Sequence, residues 1–318
     1  MDIKLLIYGD GGVYIPVVAE AIQWITEKNG EPAQLSFKVI KEGALSFKEG
    51  NCVILVVNNV NVFKGYIFTK SRDKQGIITV LCYDQLRYFK NKSSYVYTNK
   101  QAGQVLKMVA GDYNLKTGVI EDTGYYIPSR IEDNSTLFDI IYTAIDLTNK
   151  ATGKDYVMFD DFGSLCLMDS NSLTRNYFVN ENVCENFYYS SSIDESTYNR
   201  IVLIHTDKRK GINQVYNAKA ETDNRWGVLQ YYRHISQDID GKAMAEALLK
   251  EHNRVGRCLK VKCIGDITVR GGCRVMVVLD LGDFVQRCFM NVKRAVHSIS
   301  EQEHTMELSL VGGEFIGE

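Results

Sequence analysis

Leu259, Val261 and Cys263 alternate with Lys260 and Lys262, and Met306, Leu308 and Leu310 alternate with Thr305, Glu307 and Ser309. A period of two marks a strand with one buried face. Between 198 and 310 the pattern predicts strands at 199–205, 214–220 and 228–235, a helix over 241–253, and four further strands. Gly271-Gly272 joins two of these. The helix is expected to bury Ala243, Met244, Ala247 and Leu248. Asp194 to Thr197 reads as a short helical turn at the entry, and Asp207 to Gly211 as a basic loop.

The first block has the same outline. It predicts strands at 3–8, 35–40, 52–57, 60–69 and 77–83. Asn58-Asn59 turns one strand into the next, residues 70–76 form a polar loop, and Asp84 caps a short helix through Tyr88. The middle block differs in texture. Val105, Met108 and Val109 place a helix over 101–111 with Gly111 as its stop, and Asn134 or Ser135 opens a second helix with Leu137, Ile140, Ile141, Ala144 and Ile145 on one face. A hairpin, 156–159 with 164–168, turns at Asp160-Asp161-Phe162-Gly163. The expected fold class is therefore mainly β with an α+β insertion. It has a β-barrel with a helix at 1–96, the insertion at 97–186, and a second barrel with a helix at 187–318.

At 318 residues the chain suits two or three domains. A hydrophobic content of 45% supports a sizeable core. A net charge of −2 disfavours nonspecific nucleic-acid binding. No apolar run approaches a membrane span, and the start lacks the pattern of a signal peptide. The 8 cysteines are scattered without a C-x-x-C, which reads as reduced thiols of a protein folded in a cytoplasm.

Candidate chemistry is thin. Gly9-Asp10-Gly11-Gly12 lacks phosphate-loop spacing and reads as a hairpin turn. Asp160-Asp161 could be half of a glycosidase pair, but adjacent strand residues face opposite ways and turns routinely carry aspartate. Cys258, Cys263, Cys273, His297 and His304 are wrongly spaced for structural zinc. No local pattern supports a Cys184–His205 dyad. Lys208, Arg209 and Lys210 read as a solvated loop tip. The helix at 101–111 with Tyr113-Asn114-Leu115 faintly matches small peptidoglycan-gripping modules, which need a second helix close behind. No catalytic, cofactor-binding or metal residue is assigned.

Several consecutive phrases carry a resemblance. They are Ser196-Thr197-Tyr198-Asn199-Arg200-Ile201, Arg225-Trp226-Gly227-Val228-Leu229-Gln230, Leu248-Leu249-Lys250-Glu251-His252-Asn253, Val261-Lys262-Cys263-Ile264-Gly265-Asp266, Val296-His297-Ser298-Ile299-Ser300 and His304-Thr305-Met306-Glu307-Leu308. Upstream stand Phe63-Lys64-Gly65-Tyr66-Ile67 and Val80-Leu81-Cys82-Tyr83-Asp84. In order and spacing the chain resembles the phage late-control and baseplate-hub family, in the form carried by prophages and tail-like bacteriocin particles of low-GC Gram-positive bacteria. The resemblance implies tube-protein-like barrels, a homotrimer, and a ring that adapts a six-fold tail tube to a three-fold central spike. It implies partnership with the tube protein, the spike and other baseplate proteins, DNA contact only through the lumen, and no membrane insertion. The protein would be made in the bacterial cytoplasm and built into a virion or particle baseplate. Because the sequence stops at Gly317-Glu318, no fused wall hydrolase is expected. The rival class is a peptidoglycan-binding or peptidoglycan-hydrolysing tail protein.

Overall fold

Alternating apolar residues in the first ninety positions produce a run of paired strands in the computed structural model. The structure describes residues 1–41, 43, 45–194, 197–207, 212–236, 240–312 and 315. The expected turn at Asp194–Thr197 falls partly outside these residues, and the Lys208, Arg209 and Lys210 tip falls wholly outside them.

The opening strands are β1 (Ile3–Gly9), β2 (Gly12–Tyr14), β3 (Ile22–Glu27), β4 (Gln34–Ile40), β5 (Cys52–Val57), β6 (Val60–Arg72) and β7 (Ile77–Tyr83). Asn58 and Asn59 adopt φ of 50° and 63° between β5 and β6. Positive φ at both central residues is what a tight hairpin matched to strand twist requires, and asparagine tolerates it. The inward rows Leu35, Phe37 and Val39, and Val53, Leu55 and Val57, are almost wholly buried in one core with Trp24 and Phe63. A 3-10 helix, Gln85–Lys90, follows, and Asp84 caps it by accepting from the Leu86 N–H.

Next come β8 (Lys92–Lys100), α1 (Ala102–Asp112), β9 (Thr117–Ile120), β10 (Ile127–Thr136), α2 (Leu137–Thr152), β11 (Tyr156–Asp160) and β12 (Leu165–Asp169). The N-cap of α2 is Thr136, not Asn134 or Ser135. Its hydroxyl accepts from the Asp139 N–H while the Asp139 carboxylate accepts in return, and β10 uses the two earlier residues. Gly153 closes α2 in the left-handed conformation at φ 70°. Both helices bury one face in a shared core with Phe89, Tyr97 and Leu167.

The rest of the chain forms β13 (Thr174–Val179), β14 (Cys184–Ser192), β15 (Arg200–Asp207), β16 (Ile212–Lys219), α3 (Asp223–Trp226), β17 (Gln230–His234), α4 (Gly241–His252), β18 (Gly256–Ile264), β19 (Arg274–Asp280), β20 (Val285–Ile299) and β21 (His304–Val311). Asp240 caps α4 by accepting from the Lys242 and Ala243 N–H groups. The face that α4 buries differs from the expected one. Gly241 and Ala245 are buried and Met244, Leu248 and Leu249 partly so, whereas Ala243 and Ala247 are exposed. The alanine-rich stretch permits two adjacent stripes, and the bulkier Met and Leu side chains decide between them.

The chain packs as two compact units, Met1–Phe187 with Lys260–Leu310, and Tyr188–Leu259 with the residues from Val311 onward. Residues 260–310 return to the unit that holds the opening strands. The physical reason is β20. It pairs antiparallel with β19 through residues 285–291 and with β3 through residues 294–299. Arg294 opposite Glu27 adds an ion pair at 3.1 Å. Pairing in the first unit therefore runs β21-β20-β3-β4-β7-β6-β5-β1-β2 without a break. In the second unit β15 lies between β16 and β17, and α4 covers the face bearing Ile201 and Leu203. Mainly β with an α+β insertion is the fold class observed.

Candidate functional site

The sequence candidates resolve into separate structural roles. Gly9 and Gly12 face each other in the β1–β2 hairpin, and Asp10 at its tip pairs with Lys48. Asp160 ends β11 as a buried residue, and its carboxylate accepts from Gln85 Nε2 at 2.6 Å and from the Gly163 N–H at 2.7 Å. Asp161 is exposed at the turn, so the two carboxylates do not face one cleft. Cys184 lies beside Cys263, whereas His205 bonds the Ile235 carbonyl. Among the described residues no group of three or more His, Cys, Asp or Glu could hold a metal ion. Of the imagined zinc set His297 and His304 touch, with Nδ1 and Nε2 at 2.9 Å. His297 Nε2–H donates to the Val269 carbonyl, so Nδ1 must accept from His304. Burial, with the neighbouring His304 second, pushes the pKa of His297 down to about 3.

The helix matched to peptidoglycan-gripping modules lacks their arrangement. After α1 the chain makes β9 and β10 before α2, and β10 pairs antiparallel with β8. The two helices are therefore not consecutive.

Sequence reasoning missed a buried polar cluster. Asp84 is wholly enclosed, and burial, then repulsion from Asp160, raises its pKa well above the ordinary carboxylate range. Burial raises that of Asp160 as well. The Arg270 guanidinium stacks on Phe159 at 4.4 Å and donates to the Asp160 carbonyl. These groups lock sequence positions near 84, 160 and 270 together, a structural role that no local spacing announces.

The missed surface features are apolar. Val96 and Ile131 are direct partners on β8 and β10, yet 70% and 74% exposed. Phe178, Met276 and Phe289 form one row across β13, β19 and β20, with Phe178 53% and Phe289 48% exposed. Val13, Ile15 and Val17 are exposed along β2 and just after it. The β2 strand ends the pairing path, and an unpaired strand edge is a template for another chain. Exposed apolar patches of this kind bind by shape and desolvation.

A family model described as YQBQ-like matches residues 22–311. The phage-like element PBSX protein XkdQ of Bacillus subtilis is 27% identical over 312 residues, covering 94% of each chain. Among solved structures, the 43 kDa tail protein of prophage MuSo2 from Shewanella oneidensis superposes with a TM-score of 0.70 at 11% identity, over 97% of this chain and 98% of that one. A tail protein from Neisseria meningitidis gives 0.69 at 13% identity, over 98% and 96%. The chain belongs to the YQBQ-like family and has the fold of phage tail proteins.

Proposed function

We propose that this protein is a baseplate hub: a homotrimeric ring that joins a six-fold tail tube to a three-fold central spike in a phage tail or tail-like particle. The observation that carries the reading is the tail-protein fold matched along the whole chain, together with exposed apolar rows and an open strand edge that another chain can cover. In this reading residues 1–96 and 187–318 each supply a tube-like barrel, laced together by the β3–β20 pairing, and 97–186 is the insertion between them. Three chains then offer six similar barrels, and closing a ring buries their edges. The partners are further copies of the chain, the tube protein, the spike and other baseplate proteins. The role is structural and not enzymatic, with no catalytic, cofactor or metal residue, and the site of action is the particle baseplate.

Cryo-electron microscopy of the intact particle tests this. The expected result is three copies on the tail axis at the tube-to-spike junction. Six copies, or a place on the sheath or fibres, overturns it. Superposition of 1–96 on 187–318 should give a common barrel of at least about four strands. Purified protein should leave the turbidity of a cell-wall suspension unchanged, and lysis that well-folded Asp160→Ala or Cys184→Ala abolishes would favour a wall hydrolase.

A further inference from the structure

The chain leaves the first unit after Phe187, on β14, and re-enters it at Lys260, on β18. These strands are neighbours. The Ile264 N–H donates to the Val183 carbonyl at 3.0 Å, and Lys262 Nζ meets Glu185 Oε2 at 2.7 Å. Both contacts fit one antiparallel register, with 183 opposite 264 and 185 opposite 262. That register sets Cys184 opposite Cys263 at a pair whose own backbone groups do not bond across. Such pairs hold their Cα atoms about 4.5 Å apart, inside the range of roughly 4.4–6.8 Å that a disulfide spans. The Cys184 thiol is half-buried, Cys263 is buried, and both are free thiols in side-chain contact. The hydrogen bond from Cys263 lowers the pKa of Cys184, while the same contact and then burial raise that of Cys263. One sulfur is thus reachable and activated as a nucleophile, and the other waits behind it.

We propose that Cys184 and Cys263 are a dithiol that a peroxide oxidises to a disulfide, tying the whole of 188–259 off as a covalent loop. The Cys184 thiolate attacks one oxygen of hydrogen peroxide. The O–O bond breaks, the leaving hydroxide takes the proton released by Cys184 and departs as water, and Cys184 becomes a sulfenic acid. The Cys263 sulfur then attacks the Cys184 sulfur. The S–S bond forms, the S–O bond breaks, and a second water leaves with the Cys263 proton. Two electrons pass from the sulfur pair to the peroxide.

The test uses the full chain, treated with hydrogen peroxide, alkylated without reductant, digested and analysed by mass spectrometry. The expected product joins the peptides bearing Cys184 and Cys263 at their summed mass less two hydrogens. It disappears on reduction and is absent from Cys184→Ser, a substitution at a half-buried position that leaves the buried partner in place. As a second readout, a protease cut within 188–259 should leave the oxidised chain in one piece on a non-reducing gel, whereas oxidised Cys184→Ser separates into two. The proposal is overturned if Cys184 ends as a sulfinic acid beside a free Cys263, if either cysteine links instead to the half-buried Cys52 or Cys288, or if both thiols remain alkylatable after peroxide.

Discussion

Lowering the pH should unfold this protein partly through one imidazole. His297 is completely enclosed, with its ring 4.9 Å from that of Trp24, and both its nitrogens are committed to Val269 and His304. Its pKa is about 3 in the folded protein, against an ordinary value of 6.5. The unfolded chain therefore takes up a proton below pH 6.5 that the folded chain refuses until about pH 3. Stability from this group is fully present above 6.5 and drains as pH falls through that window, at about 1.4 kcal/mol per pH unit. Between pH 7 and 4.5 the loss is about 3 kcal/mol, and over the whole window about 5 kcal/mol. His304, whose pKa burial also lowers, adds in the same direction. The comparison is with His297→Gln, which can still donate and accept but does not titrate. It should be less stable than the parent at pH 7, and the gap between their urea unfolding free energies should shrink by about 3 kcal/mol at pH 4.5. Parallel stability curves over that range would refute a buried neutral His297.

Asp84→Asn should show the opposite pH trend. The raised pKa of Asp84 makes its contribution greatest below pH 3.8 and lost as pH rises, so the neutral isostere, which keeps the cap to Leu86, should unfold at higher urea than the parent at pH 7 and lose that advantage in acid. Gly271→Ala should lower stability by about 1–3 kcal/mol in urea melts, because the new Cβ would lie 2.5 Å from the Glu27 backbone, which paired strands hold in place. Thr136→Ala removes one half of the capping box on α2 and should cost about 1 kcal/mol by the same measurement. The disulfide inferred above closes a loop of about 80 residues and should raise stability by about 4–5 kcal/mol on the chain-entropy model, read as a higher unfolding midpoint for the oxidised than for the reduced chain.

Elements whose pattern is local were legible. The β21 row of Met306, Leu308 and Leu310, the Asn58-Asn59 turn, the Asp84 cap and the 241–253 helix all stand where their residues place them, because burial on one side and a demanding turn leave few alternatives. β8 and β10 were not legible. Their outward positions hold Val96 and Ile131 among polar residues, so the apolar period is blurred. β3 was not among the expected strands either: its buried row of Ile22, Trp24 and Thr26 is short and ends on a polar residue, and nothing in it names β20 as its partner. That Asp160 and Asp161 point apart could be argued from spacing. The Asp84–Asp160–Arg270 cluster could not, since its members meet only through tertiary packing.

The β3–β20 pairing has a consequence for the time course of synthesis. Glu27 emerges from the ribosome about 270 residues before Arg294, its partner, and at ~5–20 residues per second that interval is on the order of 15–50 s. Throughout it the opening strands can pair with one another, yet one side of β3 stays unclosed until β20 arrives. A partner that needs the completed sheet is thus denied to nascent and truncated chains. The same delay leaves β3 open to mispairing, and chain-length-dependent capture by cellular chaperones should peak before residue 299 is released and fall once β20 is in place.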